Sequence, residues 1–68
     1  MMSDDYKARF PLGALVCKAS GPEWRGVIVG YYSSSFTPEG LVIECTADGA
    51  RGQVHVEPAK RMVNHDER

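Results

Sequence analysis

The sequence predicts an all-β fold, a small five-stranded barrel. Three observations predict it. No 3.6-residue apolar periodicity persists for ten residues, which argues against a helical domain. Short β-branched and aromatic runs alternate with Gly- and Pro-containing turns across residues 13–63. The chain has 68 residues, enough for one domain, and four or five short strands in that length match a barrel of SH3-like size. Such barrels host many unrelated functions, so the fold alone identifies no activity.

Each element follows from its residues. Residues 1–11 are mixed and polar and read as a flexible arm, with the barrel domain over 12–63 and a polar tail over 64–68. Pro11 and Gly13 mark the entry to the ordered part. "GALVCK" (13–18) is a short strand, and "ASGPE" (19–23) is a turn signal. "WRGVIVGYYS" (24–33) is the longest strand candidate, and its Gly26 and Gly30 suggest a bulge or sharp bend. "TPEG" (37–40) has the residues of a type I turn. "LVIECT" (41–46) is the next strand, "ADGARG" (47–52) a loop, and "QVHVE" (53–57) a strand ended by Pro58. "AKRMV" (59–63) fits either one helical turn or a last short strand.

The totals exclude several functions. A domain this small usually needs a disulfide, a metal or oligomerisation to hold it. Cys17 and Cys45 allow one bridge, but the start "MMSDDYKARF" has no apolar signal segment. The expectation is a cytoplasmic protein whose two thiols are reduced and buried as small hydrophobes. There is no CxxC pair for a zinc finger. A net charge of -1 gives no footprint for non-specific nucleic-acid binding, and no window has the apolar length of a membrane span. Oligomerisation is the remaining support.

The strand "QVHVE" carries the most chemistry. Alternation puts Gln53, His55 and Glu57 on one face and Val54 and Val56 on the other. That polar face reads as a solvated edge, a metal or proton-transfer site, or the wall of a binding pocket. His55 and Glu57 are only two ligands per chain, so no metal is expected. Taken alone, Lys18 is an ordinary surface lysine, Trp24 a core anchor, and His65 a bystander in the tail. Lys60 and Arg61 read as a solvated turn. Ser33, Ser34 and Ser35 form a polar connector with no nucleophile arrangement about them.

The run "KASGPEWRGVIVGYYSSSFTPEGLVIE" resembles the type II dihydrofolate reductases, the plasmid-encoded, trimethoprim-insensitive enzymes. That family carries a G-x-x-V-x-K-x-S-G-x-x-W-x-G-x-I-V-G-W-Y segment, then T-P-E-G, then V-Q-I-Y-P. Gly13, Val16, Lys18, Ser20, Gly21, Trp24, Gly26, Ile28, Val29, Gly30, Tyr32, Thr37, Pro38, Glu39 and Gly40 fit, as do Val54 and Pro58. The resemblance covers residues 13–63 with a small insertion near Asp48–Arg51. It implies an SH3-like barrel, a homotetramer of 222 symmetry, and one central pore that holds NADPH and dihydrofolate together. It implies no residue acting as general acid or base, but catalysis by proximity and orientation. The pore residues it implies here are Lys18, which would pair with ligand anions, together with Gln53, His55, Val56 and Glu57. Tyr31, Cys45 and Asp48 would fall at the oligomer interface.

Three positions depart from the family pattern. His55 stands for a glutamine, and a neutral imidazole still stacks and hydrogen-bonds. Val56 stands for an isoleucine. Glu57 stands for a tyrosine and brings a carboxylate to a pore meant for polyanions. Two like charges 4 Å apart repel by about 4 kcal/mol at an effective dielectric near 20. Tyr31 replaces the first aromatic of the W-Y pair, and Asp48 falls near a family histidine used between subunits. The alternative is a non-catalytic barrel that keeps the fold and binds another small ligand or a protein partner.

Overall fold

The computed structural model describes residues 5–20, 24–47 and 49–67. A short helix α1 (Asp5–Arg9) precedes strands β1 (Leu15–Lys18), β2 (Arg25–Tyr32), β3 (Gly40–Cys45) and β4 (Val54–Pro58). A 3-10 turn (Ala59–Arg61) leads directly into β5 (Met62–Asn64), and a second one (His65–Glu67) follows. Residues 59–63 therefore take both of the forms their sequence allows. The five strands make one antiparallel sheet in the order β4-β3-β2-β1-β5. It curls like a small barrel but is not closed, because β4 and β5 are its two edges. Among the described residues no helix is long and apolar enough to cross a membrane.

The glycines of β2 do what a tight curl requires. The β2–β3 register shifts between Ile28 and Gly30, so a bulge lies next to Gly30 and sharpens the twist. Gly26 has a different task. A Cβ there would lie 2.5 Å from the Glu44 carbonyl oxygen and 2.7 Å from Ile43 Cγ2. Only the bare backbone lets β2 approach β3 that closely. At the corner before β3, the Ser34 amide donates to the Thr37 carbonyl at 2.9 Å. The Thr37 amide returns a bond to Ser34 Oγ at 3.0 Å. This pair of bonds shapes the connection, and the chain bends at Pro38 and Glu39.

The core collects inward side chains from α1 and from every strand except β4. Tyr6, Phe10, Val16, Ile28, Leu41, Ile43, Ala59 and Met62 form one buried cluster, with Ala14, Trp24 and Tyr31 packed against it. Trp24 is thus a half-buried flank, and the largest fully buried side chain is Phe10. Cys17 and Cys45 are buried free thiols.

The N-terminal segment differs from the expected arm. Residues 5–9 are helical, Tyr6 is buried, and Phe10 is fully buried. Tyr6 and Phe10 are four apart, so one turn of helix delivers both rings to the core. The end of α1 is also tied by its carbonyls, which have no partner inside a helix this short. The Tyr31 hydroxyl donates to the Phe10 carbonyl at 2.7 Å, with the Lys7 carbonyl at 3.3 Å as a weaker acceptor. Asn64 Nδ2 donates to the Arg9 carbonyl at 3.1 Å. Tyr6 and Tyr31 meet edge to face, centroids 5.8 Å apart. The expected tail likewise begins inside the sheet, since Asn64 pairs with Val16.

This docking leads to a stability prediction. Phe10→Ala should cost about 3–5 kcal/mol, against a total of roughly 3–10 kcal/mol for a domain of 68 residues. A urea titration should show the variant largely unfolded without denaturant. An unchanged midpoint would show that α1 is not part of the core.

Candidate functional site

Strand β4 is at an edge of the sheet, and none of its residues is buried. Its register explains which way each side chain points, because cross-strand partners share a face. Glu57 is opposite Leu41, and His55 is opposite Ile43. Leu41 and Ile43 belong to the core, so His55 and Glu57 continue the inward row past its buried part. Val56 pairs with Val42 and Val54 with Glu44 on the outer face. The usual polarity is therefore inverted: β4 turns polar residues inward and valines out.

On the inward side the polar residues meet β1 and the entry to β2. Lys18 Nζ lies 3.7 Å from Glu57 Oε1. It also sits 5.7 Å from the Trp24 ring centroid, within cation–π range. The Trp24 ring meets the His55 ring edge to face, 5.2 Å between centroids. Glu57, Lys18, Trp24 and His55 thus form one contiguous chain of contacts. It spans from β4 to β1, strands that are not neighbours in the sheet. The side chains of Lys18 and Glu57 are 37% and 21% exposed. A pair that open to water is worth about 0.2–1 kcal/mol. The contacts orient these groups more than they hold the fold together.

Beside this chain lies a pocket of about 490 Å³, reaching from Phe36, Thr37 and Glu39 past Val56 and Glu57 to Lys60. Phe36 is 96% exposed on its rim, a large ring that no core requirement explains. On the outer face, Val54 and Val56 are 57% and 47% exposed. Leu15, Val29 and Tyr32 are also exposed. The register aligns Leu15 with Val27 and Glu44 with both Val27 and Val54, so the outer row across the sheet is apolar except at the exposed Glu44. Among the described residues no three His, Cys, Asp or Glu side chains gather as a metal site would need.

The structure brings Lys18, His55 and Glu57 together and leaves Val56 on the opposite face of the same strand. Gln53 precedes β4 and is fixed through its backbone. Its carbonyl accepts from the Cys45 amide at 2.7 Å, and its amide donates to the Ala50 carbonyl at 3.1 Å. Of the residues expected at an oligomer interface, two are described. Tyr31 spends its hydroxyl and ring on α1. Cys45 is 1% exposed, with its thiol directed at the Arg25 carbonyl, 3.5 Å away. It offers a partner almost no surface. Asp48 lies outside the described residues. What sequence reasoning missed is Trp24 as the ring against which His55 and Lys18 are arranged, and the exposed valines. The strict alternation in "VHVEP" contained the second signal.

Comparison with known proteins gives one consistent result. The model of the family described as "R67 dihydrofolate reductase" matches residues 3–64. A dihydrofolate reductase type 2 from Escherichia coli is 39% identical over 57 residues, covering 84% of this chain and 73% of the relative. A second Escherichia coli protein of the same name is 41% identical over 55 residues, covering 81% and 68%. The match begins at residue 3, so it takes in the helix whose two rings complete the core as well as the strands. With the fold, the inward lysine and the β4 strand in place, the chain belongs to the type II dihydrofolate reductase family.

Proposed function

We propose that this protein is an NADPH-dependent dihydrofolate reductase that works in a cavity shared by four copies of the chain. The observation that carries the reading is β4. It is an edge strand with no buried residue, it carries His55 and Glu57 on one face, and it exposes Val54 and Val56 on the other. A strand so poorly covered by its own chain is completed by a neighbour. Four β4 strands around a common axis would bury the valines and leave the polar face on the cavity.

The residues present suit a nicotinamide cofactor and a folate, both elongated, aromatic at one end and anionic at the other. Lys18 is the cation for their phosphates and carboxylates. His55, already edge-on to Trp24, offers a second ring for the flat heterocycles. The outer edge of β4 offers backbone N–H and C=O groups, because that side of the strand faces no other strand. The cofactor supplies the hydride. The protein's share would be to bring donor and acceptor together and keep water out, a contribution of positioning. No side chain of β4 is assigned a proton-transfer role. Glu57 is the residue that works against the binding of polyanions. Its present partner, Lys18, is the group those anions need.

Four outcomes are expected. Purified protein should oxidise NADPH in the presence of dihydrofolate and sediment as a tetramer. Absence of turnover from a sample shown to be tetrameric would remove the reductase reading and favour the non-catalytic barrel. Its melting temperature should rise with protein concentration, since assembly stabilises the folded chain by mass action, and a concentration-independent melt of a monomer would remove the shared cavity. Val54→Glu should lower assembly and turnover together while the circular dichroism of the folded chain is kept. Finally, Glu57→Tyr should tighten NADPH binding by about tenfold, the equivalent of about 1.4 kcal/mol. Unchanged affinity in a calorimetric titration would show that β4 does not face the cofactor.

A further inference from the structure

Lys60 and Arg61 have been given no role so far. They sit in the 3-10 turn between β4 and β5, and both are exposed. Their surroundings are more specific than those of a solvated turn. With Lys18, Ala19, Ser20 and Glu57 they line one pocket of about 340 Å³. The turn is fixed in that place at both ends. The Ala59 amide donates to the Glu39 carbonyl at 2.8 Å, and the Ala19 amide donates to the Arg61 carbonyl at 2.9 Å. The second bond ties the Lys60–Arg61 turn to the segment that follows Lys18.

The charges in this pocket are unequal. Among the described residues three cations, Lys18, Lys60 and Arg61, line it with one carboxylate, Glu57. That carboxylate is engaged with Lys18 at 3.7 Å. Among the described residues neither Lys60 nor Arg61 has an ion-pair partner. The neighbouring 490 Å³ pocket shares Glu57, Lys60 and Arg61 but adds Glu39, so its charges balance. The two concavities share Glu57, Lys60 and Arg61, and among the described residues they differ in charge by Glu39 on the Phe36 side and Lys18 on the Ser20 side. A concave surface with one sign of charge concentrates counter-ions. A guanidinium beside an ammonium suits an oxyanion that accepts several hydrogen bonds.

We infer that Lys60 and Arg61 form an oxyanion clamp beside Lys18, and that it holds the anionic end of an elongated ligand while Glu57 keeps Lys18 engaged. The chemistry recognised is a phosphate or a carboxylate. In the reductase reading, on which this part rests, the two sources are the phosphates of the dinucleotide and the carboxylates of the folate tail. The clamp compensates for Glu57. It adds two cations to the pocket that Lys18 and Glu57 line.

The test has one arm that is independent of reductase activity. Titration of the full-length protein with inorganic pyrophosphate, followed by amide NMR, should give saturable shifts at Ser20, Lys60 and Arg61. The double substitution Lys60→Ala, Arg61→Ala should weaken pyrophosphate by about tenfold or more, as loss of charge-assisted hydrogen bonds implies. Glu57→Gln should strengthen it. Unsaturable shifts, or equal affinity in parent and double variant, would overturn the clamp. The second arm compares ligands. If the double variant loses affinity for NADPH but not NADH, the clamp holds the 2′-phosphate. An equal loss for both dinucleotides assigns it to the pyrophosphate. A loss for dihydrofolate but not for 6-methyl-dihydropterin, which carries no carboxylate, assigns it to the carboxylates of the tail. Unchanged affinity for all four would again overturn it. A parent that binds pyrophosphate at these residues but reduces no dihydrofolate would refute the reductase reading and leave the clamp standing.

Discussion

Everything in this molecule depends on one buried row. Val16, Ile28, Leu41, Ile43 and Met62 come from four strands, and Phe10 and Tyr6 reach them from α1. A sheet of five short strands cannot bring those side chains together while flat. It curls, with a bulge at Val29–Gly30 and the bare backbone of Gly26 against Glu44 allowing the curvature. The row is also short. It runs out at β4, where the inward positions are His55 and Glu57 instead of apolar residues. The place where the core ends and the place where the inward row turns polar are the same place.

That division explains the two kinds of contact across the open side of the barrel. Hydrogen-bonded pairing ends at β4 and at β5. Beyond it, the chain relies on the Lys18–Glu57 pair and the Trp24–His55 contact. Each is worth little as stabilisation in water. Both involve groups that a ligand would also engage, so binding and closure of the barrel draw on the same side chains. Tyr31 shows the opposite economy. It packs against the core and caps the last carbonyls of α1, and so joins the N-terminal segment to the middle of the sheet.

Much of this was legible in the sequence. The strand runs "LVCK", "RGVIVGYY" and "LVIEC" and the glycine positions told of a small antiparallel sheet, since period-2 patterning and turn residues are local signals. The resemblance pointed to Lys18 and the β4 strand, and the structure brings Lys18 and Glu57 within 3.7 Å. The helix was not legible by the same means. One turn of helix has no periodicity to read, and only the four-residue spacing of Tyr6 and Phe10 hinted at it. The direction of β4 was half legible. Alternation separated His55 and Glu57 from the valines but could not say which face was covered, because that depends on the register with Leu41 and Ile43. The grouping of Lys60 and Arg61 with Lys18 was not legible at all. It arises from a backbone bond between Ala19 and Arg61, far apart in sequence.

The absence of any buried residue in β4 bears on how such a protein can change over generations. A substitution at His55, Val56 or Glu57 removes nothing from the interior, so the chain still folds whichever way its ligand preference moves. Strand β4 is thereby released from the selection that holds the buried Leu41 or Phe10 fixed. Lineages can explore new chemistry on this strand through folded intermediates, and divergence should gather there first.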